Sequence, residues 1–214
     1  MKGENKKVDS ILRYFSPDIR ILIDKNIKDI NEIRLRCEKP LVLVSYGRKK
    51  YVSKEGGLSD FSRNAYIVSS KDIEYTFSSL CDYSIHSYEN EIAQGFITVS
   101  GGHRAGIAGS AAISGNRVLA VKYINSINFR IASQINGCAD RIYMELFKDK
   151  LCSVLIAGAP SSGKTTVLKD LCRQLGERYS VSVIDERGEI GAVYHGKAQN
   201  DVGSMCDIFD GYPK

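Results

Sequence analysis

A glycine-rich segment in the second half of the chain has the residue types and the spacing of a phosphate-binding loop. From Gly158 to Thr165 the sequence matches the pattern G-x-x-x-x-G-K-[ST] at every position. In such a loop, backbone N–H groups surround a phosphate, and the two glycines supply the conformations and the clearance that side chains would prevent. Lys164 would reach the outer phosphates of a nucleotide, and the hydroxyl of Thr165 would bind Mg²⁺. The candidate binding residues are Gly158, Ala159, Pro160, Ser161, Ser162, Gly163, Lys164, Thr165 and Thr166.

The segments on either side of this loop match the elements that it requires. The apolar run Val154–Ile156 precedes it and predicts a buried parallel strand. A helix is predicted over 166–175, ending at Gly176, and its N-terminus would place a partial positive charge next to the phosphate. A chance match is the alternative interpretation, and the order strand, loop, helix favours the phosphate site. The apolar face of this helix comprises Val167, Leu168, Leu171, Cys172 and Leu175.

Three acidic residues follow the next predicted strand, which covers Ser180–Ile184. They are Asp185, Glu186 and Glu189. In open α/β sheets, ligands bind outside the carboxyl ends of the parallel strands, where these residues would lie. A carboxylate at this position could hold Mg²⁺ or polarise an attacking water molecule. An ordinary helix cap is the alternative interpretation.

The first 137 residues predict a mixed α+β domain with an antiparallel sheet. Two short helices are expected within residues 8–30, with Ser16 as the cap and Pro17 as the first residue of the second. A helix over 69–80 would begin with a capping arrangement of Ser69 and Asp72, and another would run from Ile85 to Gly95. After Asn136-Gly137, a short helix over 139–149 opens the second domain, residues 138–214. Strands are predicted at 33–37, 41–44, 51–52, 96–99, 105–108, 118–121 and 127–131.

Charge and composition predict a soluble, intracellular, globular protein. The net charge of the 214 residues is +5, and residues 1–50 contain 13 Lys and Arg against 7 Asp and Glu. This basic quarter could face nucleic acid, anionic lipid or an acidic partner, but its interleaved acids favour a solvated surface. No segment approaches the roughly 18 apolar residues of a membrane span. The six cysteines lack C-x-x-C and zinc-site spacings, so we expect reduced thiols, with Cys152 and Cys172 packed as small apolar residues.

Several segments together resemble one family over nearly the whole chain. They are 32–36, 94–106, 126–131, the phosphate-binding loop, 183–190, 199–203 and 210–214. In this combination and order they closely resemble the stage III sporulation protein AA family of endospore-forming Firmicutes. That family is similar to the motor ATPases of type II and type IV secretion.

The resemblance implies an N-terminal sensor-like α+β domain followed by a RecA-like ATPase core that uses ATP and Mg²⁺ and works as a hexamer. Glu189, or else Glu186, would polarise the water, with Lys164 as a further catalytic residue, and Thr165 and Asp185 would hold Mg²⁺. Arg104 and Arg130 would lie near the γ-phosphate. The implied setting is the cytoplasm of the mother cell, where the protein would energise a channel complex across the two forespore membranes.

Two features depart from the family pattern. The family continues beyond the position of Lys214 into a strand with a Walker B Asp-Glu and further core strands, so we expect residues 138–214 to form only the first part of the core. Ser161 and Ser162 stand in the loop where a glycine is common. Whether this chain hydrolyses ATP is therefore open at this point. Two alternatives remain: a nucleic-acid-associated P-loop ATPase, and a non-catalytic fragment that acts through its N-terminal domain.

Overall fold

The computed structural model describes residues 11–26, 30–115, 117–132, 134–160 and 162–212, without the side chain of Arg117. Contacts divide the chain into two compact units, residues 1–132 and residues 133–214. The first helix predicted in the region 8–30 and the predicted phosphate-binding loop, at Ser161, fall partly outside the described residues.

The first unit contains the predicted antiparallel sheet. Its seven strands follow the order β4-β3-β2-β1-β7-β6-β5. Inward-facing residues such as Ile33 and Leu35 are fully buried, and they alternate with arginines on the other face of β1. The strands are β1 (Glu32–Arg36), β2 (Val42–Ser45), β3 (Arg48–Val52), β4 (Leu58–Ser59), β5 (Phe96–Val99), β6 (His103–Ser114) and β7 (Arg117–Arg130).

Three helices of the first unit begin and end close to the predicted positions. They are α1 (Pro17–Asp24), α2 (Ser70–Leu80) and α3 (Glu89–Gln94), and a 3₁₀ turn over Ile85–Tyr88 precedes α3. The capping box of Ser69 and Asp72 is present, and left-handed Gly95 ends α3, as predicted. Ser16 is the N-cap residue of α1 and Pro17 its first residue, as predicted, but the hydroxyl of Ser16 donates to buried Asp72 at 2.5 Å and not to the backbone of α1.

One long strand replaces the two strands predicted at 118–121 and 127–131. Between the pairs Ala108–Ser126 and Ser110–Lys122, β6 has one intervening residue while β7 has three. This bulge interrupts the period of two, which is why the sequence pattern indicated a break. Gly109 allows it, because a Cβ there would lie 2.6 Å from the carbonyl oxygen of Lys122.

The described residues of the second unit form two helices and a parallel pair of strands. The helices are α4 (Asp140–Leu146) and α5 (Lys164–Gly176), and the strands are β8 (Val181–Asp185) and β9 (Cys206–Asp210). The predictions of α4, α5 and β8 are confirmed. Ala139, Phe147 and Leu171 form a small buried cluster between the helices. None of the described helices is long and apolar enough to cross a membrane.

The strand predicted at Val154–Ile156 is wrong. Residues 151–158 have no regular structure, and Leu155 is 90% exposed. A strand needs a neighbour for its N–H and C=O groups, and in the described part of this unit the ladder joins β8 to β9 only. β9 was not predicted, because its short run of mixed polar and apolar residues has no strong period.

The cysteines differ in environment, and this predicts a difference in reactivity. All six are free thiols. Burial raises the pKa of Cys172 and that of Cys81 to about 11. Cys152 is exposed, contrary to the prediction that it packs like Cys172, because residues 151–158 have no buried strand.

We expect iodoacetamide near neutral pH to modify Cys152 at least about tenfold faster than Cys81 or Cys172, because only accessible thiolates react. Peptide mass spectrometry over a time course measures the rates. In urea the three rates should converge, which serves as the control. Equal rates in the folded chain would contradict the burial of Cys81 and Cys172.

Candidate functional site

The two glycines of the phosphate-binding loop serve different purposes. Gly163 immediately precedes α5 and has φ +88° and ψ 8°, a left-handed conformation that strains other residues. A Cβ there would meet no atom within 4 Å, so conformation alone explains this glycine. At Gly158 a Cβ would lie 2.8 Å from the hydroxyl of Ser162, so clearance explains that one.

Lys164 is the first residue of α5, and its side chain returns to the loop. Its Nζ donates to the carbonyl oxygens of Gly158 at 2.8 Å and Ala159 at 2.7 Å. An ammonium group has three donors, so a third can reach an anion bound at the loop. Lys164 therefore places a positive charge beside the N-terminus of α5, where the first backbone N–H groups have no intrahelical acceptor.

The structure brings the loop and the acidic segment together at one point. Thr165 Oγ1, in the first turn of α5, donates to Glu189 Oε2 at 3.4 Å. Glu189 lies on the loop that follows β8 and is half-buried, whereas Glu186 on the same loop is exposed. A hydroxyl beside a carboxylate presents the hard oxygen ligands that Mg²⁺ prefers. Glu189, one of the two candidates for polarising water, is thus in contact with the loop helix.

Asp185 stabilises the backbone of the acidic loop that follows β8. Its side chain is 3% exposed, and its carboxylate accepts from three consecutive backbone N–H groups, those of Glu189 at 2.9 Å, Ile190 at 2.8 Å and Gly191 at 2.9 Å. Both carboxylate oxygens are used in these bonds. Binding of Mg²⁺ by Asp185 stays a prediction, and the geometry gives this residue a second task, which is to shape the loop that carries Glu189.

The two candidate arginines lie side by side in the first unit. Arg104 on β6 and Arg130 on β7 are directly opposite in the strand register, so their side chains share one face of the sheet. The guanidinium of Arg104 lies 4.5 Å from the centroid of the Phe96 ring, and Arg130 lies 3.5 Å from the carboxylate of Glu32 on β1. Their predicted place near a γ-phosphate stays a prediction.

The remaining predicted loop residues lie where the motif puts them, and one neighbouring residue was missed. Ala159, Pro160 and Ser162 are exposed in the loop, and Thr166 is half-buried in the first turn of α5. Asn200 is 4% exposed, and its amide donates to the carbonyl oxygens of Ile190 at 2.7 Å and Glu189 at 3.4 Å. In the sequence it stood only within the family-like run 199–203, where no chemical pattern marked it.

Comparison with known proteins identifies one family. The profile of the family described as "Sporulation stage III, protein AA" matches residues 5–214. Stage III sporulation protein AA of Bacillus subtilis (strain 168) is 32% identical over 192 residues, a match that covers 87% of this chain and 59% of that protein.

Among solved structures, the chain is similar to the pilus retraction motor PilT with bound ADP. The TM-score is 0.51 at 16% sequence identity, covering 90% of this chain and 50% of PilT. The Legionella pneumophila ATPase DotB gives a TM-score of 0.46 at 13% identity, with 90% and 50% covered. The chain thus spans between half and three fifths of these relatives. The likeness to PilT confirms the predicted α/β fold with a RecA-like second part, and the chain belongs to the stage III sporulation protein AA family.

Proposed function

We propose that this chain binds ATP and Mg²⁺ at the loop 158–165, as part of a motor ATPase subunit related to the secretion ATPases. The observation that carries the proposal is the 3.4 Å contact between Thr165 and Glu189, beside the ammonium group of Lys164. It places a cation, a hydroxyl and a carboxylate at the N-terminus of one helix, within a complete phosphate-loop sequence.

The residues divide the chemistry of hydrolysis among them. Backbone N–H groups of the loop and Lys164 would bind the phosphates, and Thr165 would hold Mg²⁺, which offsets phosphate charge when bound. Glu189 would orient a water molecule and accept its proton as the water oxygen bonds to the γ-phosphorus. The bond from that phosphorus to the bridging oxygen of ADP then breaks, and ADP and phosphate leave.

Assembly and setting follow from family membership as part of the same proposal. Arg104 and Arg130 form a cationic pair that would stabilise the γ-phosphate once subunits assemble into a homo-oligomer, for which we propose a hexamer. The name of the Bacillus relative supports a role in sporulation. We propose that the protein acts in the cytoplasm of the mother cell and energises the channel between mother cell and forespore.

Replacing Lys164 with alanine tests nucleotide binding. We expect Lys164→Ala to lower the affinity for Mg-ATP about 100-fold, because hydrogen bonds from a charged group to phosphate are lost and no other side chain replaces them. Isothermal titration of the chain with Mg-ATP measures the affinity. Lys169→Ala, on the same helix and with the same change of charge, is the control and should bind as the wild type does.

Two outcomes would contradict the proposal. Equal affinities in the wild type and in Lys164→Ala would remove the loop from nucleotide binding. A wild-type chain that gives no heat with Mg-ATP would favour the alternative in which the chain acts through its N-terminal domain.

A further inference from the structure

The segment Gln199–Gly203 matched the family in sequence but has no assigned role. In the structure it runs between the acidic loop after β8 and the C-terminal end of α5. It is therefore in contact with the acidic loop of the proposed nucleotide site and with the far end of the helix that begins at the phosphate loop, although it contains none of the motif residues.

At its N-terminal end, the segment donates hydrogen bonds to three successive carbonyl groups of the acidic loop. The backbone N–H groups of Gln199 and Asn200 donate to the carbonyl oxygen of Gly191 at 3.0 and 3.2 Å. The side-chain amide of Asn200 donates to Ile190 at 2.7 Å and Glu189 at 3.4 Å. Asp185 accepts hydrogen bonds from the N–H groups of the same three residues. Both the N–H and the C=O groups of residues 189–191 are therefore hydrogen-bonded.

At the other end, the segment is anchored to α5. A Cβ on Gly203 would lie 2.5 Å from the carbonyl carbon of Gly176, so the two glycine backbones are in direct contact. The N–H of Met205 donates to the carbonyl oxygen of Gly176 at 2.8 Å. The first turn of α5 carries Thr165, which contacts Glu189. The contacts thus form a closed path from Glu189 through Asn200, Gly203 and α5 back to Glu189.

The two polar atoms of the Asn200 amide differ in their hydrogen bonding. Its Oδ1 is buried and has no hydrogen-bond donor among the described residues. A buried acceptor without a donor is destabilising, so the Oδ1 of Asn200 does not stabilise the folded chain. What the amide does provide is its pair of bonds to the carbonyl groups of Glu189 and Ile190.

We propose that Asn200 is a positioning residue, which holds the carboxylate of Glu189 beside Thr165 through the backbone of the acidic loop. This inference rests on the proposed function. A catalytic group displaced by about 1 Å can lose about 100-fold in rate, even when the substituted residue does not touch the substrate. Asn200 should therefore affect turnover far more than nucleotide binding.

The kinetic test compares Asn200→Ala and Asn200→Ser with wild type. We expect kcat to fall about 30- to 100-fold and the affinity for Mg-ATP to stay within about threefold, since the phosphate loop is unchanged. Lys197→Ala is the matched control, because Lys197 is exposed in the same connection between β8 and β9. The serine variant keeps a polar group in the buried site in case the alanine variant does not fold.

A double-mutant cycle separates positioning from general stability. If Asn200 acts through Glu189, the double variant Asn200→Ala with Glu189→Gln should turn over no more slowly than Glu189→Gln alone. Additive losses would overturn the inference, as would wild-type kcat in both folded Asn200 variants. Loss of the folded state in both would assign Asn200 a structural role only and would equally overturn it.

A second readout needs neither nucleotide nor turnover. In the 214-residue chain, Asn200→Ala should raise the hydrogen-exchange rates of the amides of Glu189, Ile190 and Gly191 at least about tenfold while those of α5 stay protected. Unchanged exchange at these amides would overturn the inference. Failure of nucleotide binding in the wild type would instead reject the proposed function, so the two failures are distinguishable.

Discussion

Alanine in place of Gly203 is expected to destabilise residues 133–214 by about 2–5 kcal/mol, through the sum of two effects. Gly203 has φ +88°, and an L-residue in this left-handed region costs about 1–2 kcal/mol. The new Cβ would also lie 2.5 Å from the carbonyl carbon of Gly176 and 2.6 Å from the carbonyl oxygen of Arg173. Both atoms are backbone, so the segment must move away from α5, at about 1–3 kcal/mol for overpacking.

Gly196 provides the matched control for this prediction. Its φ is +73°, similar to that of Gly203, but a Cβ there would meet no atom within 4 Å. Gly196→Ala should therefore show only the conformational cost, about 1–2 kcal/mol. Amide hydrogen exchange in α5 measures the free energy of unfolding of both variants. Equal values would mean that the two glycine backbones are not in contact.

The second large effect is expected at Asp170, a carboxylate buried in the middle of α5. It is 0% exposed and accepts from the backbone N–H of Ala139 at 2.9 Å, from the guanidinium of Arg173 at 2.8 Å and from the amide of Gln174 at 3.0 Å. These bonds join the start of α4 to α5. Asp170→Asn removes the charge and leaves a donor facing donors, which should cost about 3 kcal/mol at neutral pH.

The destabilisation caused by Asp170→Asn should depend on pH, in a direction that the pKa of Asp170 determines. Burial raises the pKa of Asp170, but the hydrogen bonds from Ala139, Arg173 and Gln174 outweigh it, so the folded-state pKa is lowered. Ionised Asp170 therefore makes its full contribution to the free energy of unfolding above the unfolded-chain pKa of about 3.9. This contribution is lost as the pH falls through the lower pKa of the folded chain. The difference in the free energy of unfolding between wild type and Asp170→Asn should be constant from about pH 7 to about pH 5. It should become smaller below about pH 4.

Urea unfolding followed by circular dichroism at several pH values measures this difference. Asp140→Asn is the control, because Asp140 also accepts from Gln174 but is exposed, and we expect less than about 1 kcal/mol there. A difference for Asp170→Asn that widens on acidification would contradict the lowered pKa.

Local patterns predicted those elements whose ends depend on neighbours in sequence. The capping box at Ser69 and Asp72 and the glycine that ends α3 were read correctly, because each involves backbone groups within a few residues. Strand β1 was read correctly from the alternation of Ile33 and Leu35 with arginines. The run Val154–Ile156 was misread, because its apolar composition indicates a buried strand but cannot supply the partner that a strand needs.

The residues of the candidate site also fall into two groups, those that a local sequence pattern predicted and those that the tertiary structure brought together. The amino-acid sequence was sufficient to predict a phosphate-binding loop with its lysine and threonine, and an acidic cluster, because these predictions depend on residue type and close spacing. Folding selected Glu189 over Glu186 as the partner of Thr165, paired Arg104 with Arg130 across two strands, and placed Asn200 beneath the acidic loop. These are contacts between residues far apart in the chain, and they depend on strand register, a bulge and the contact of two glycine backbones, none of which has a local pattern.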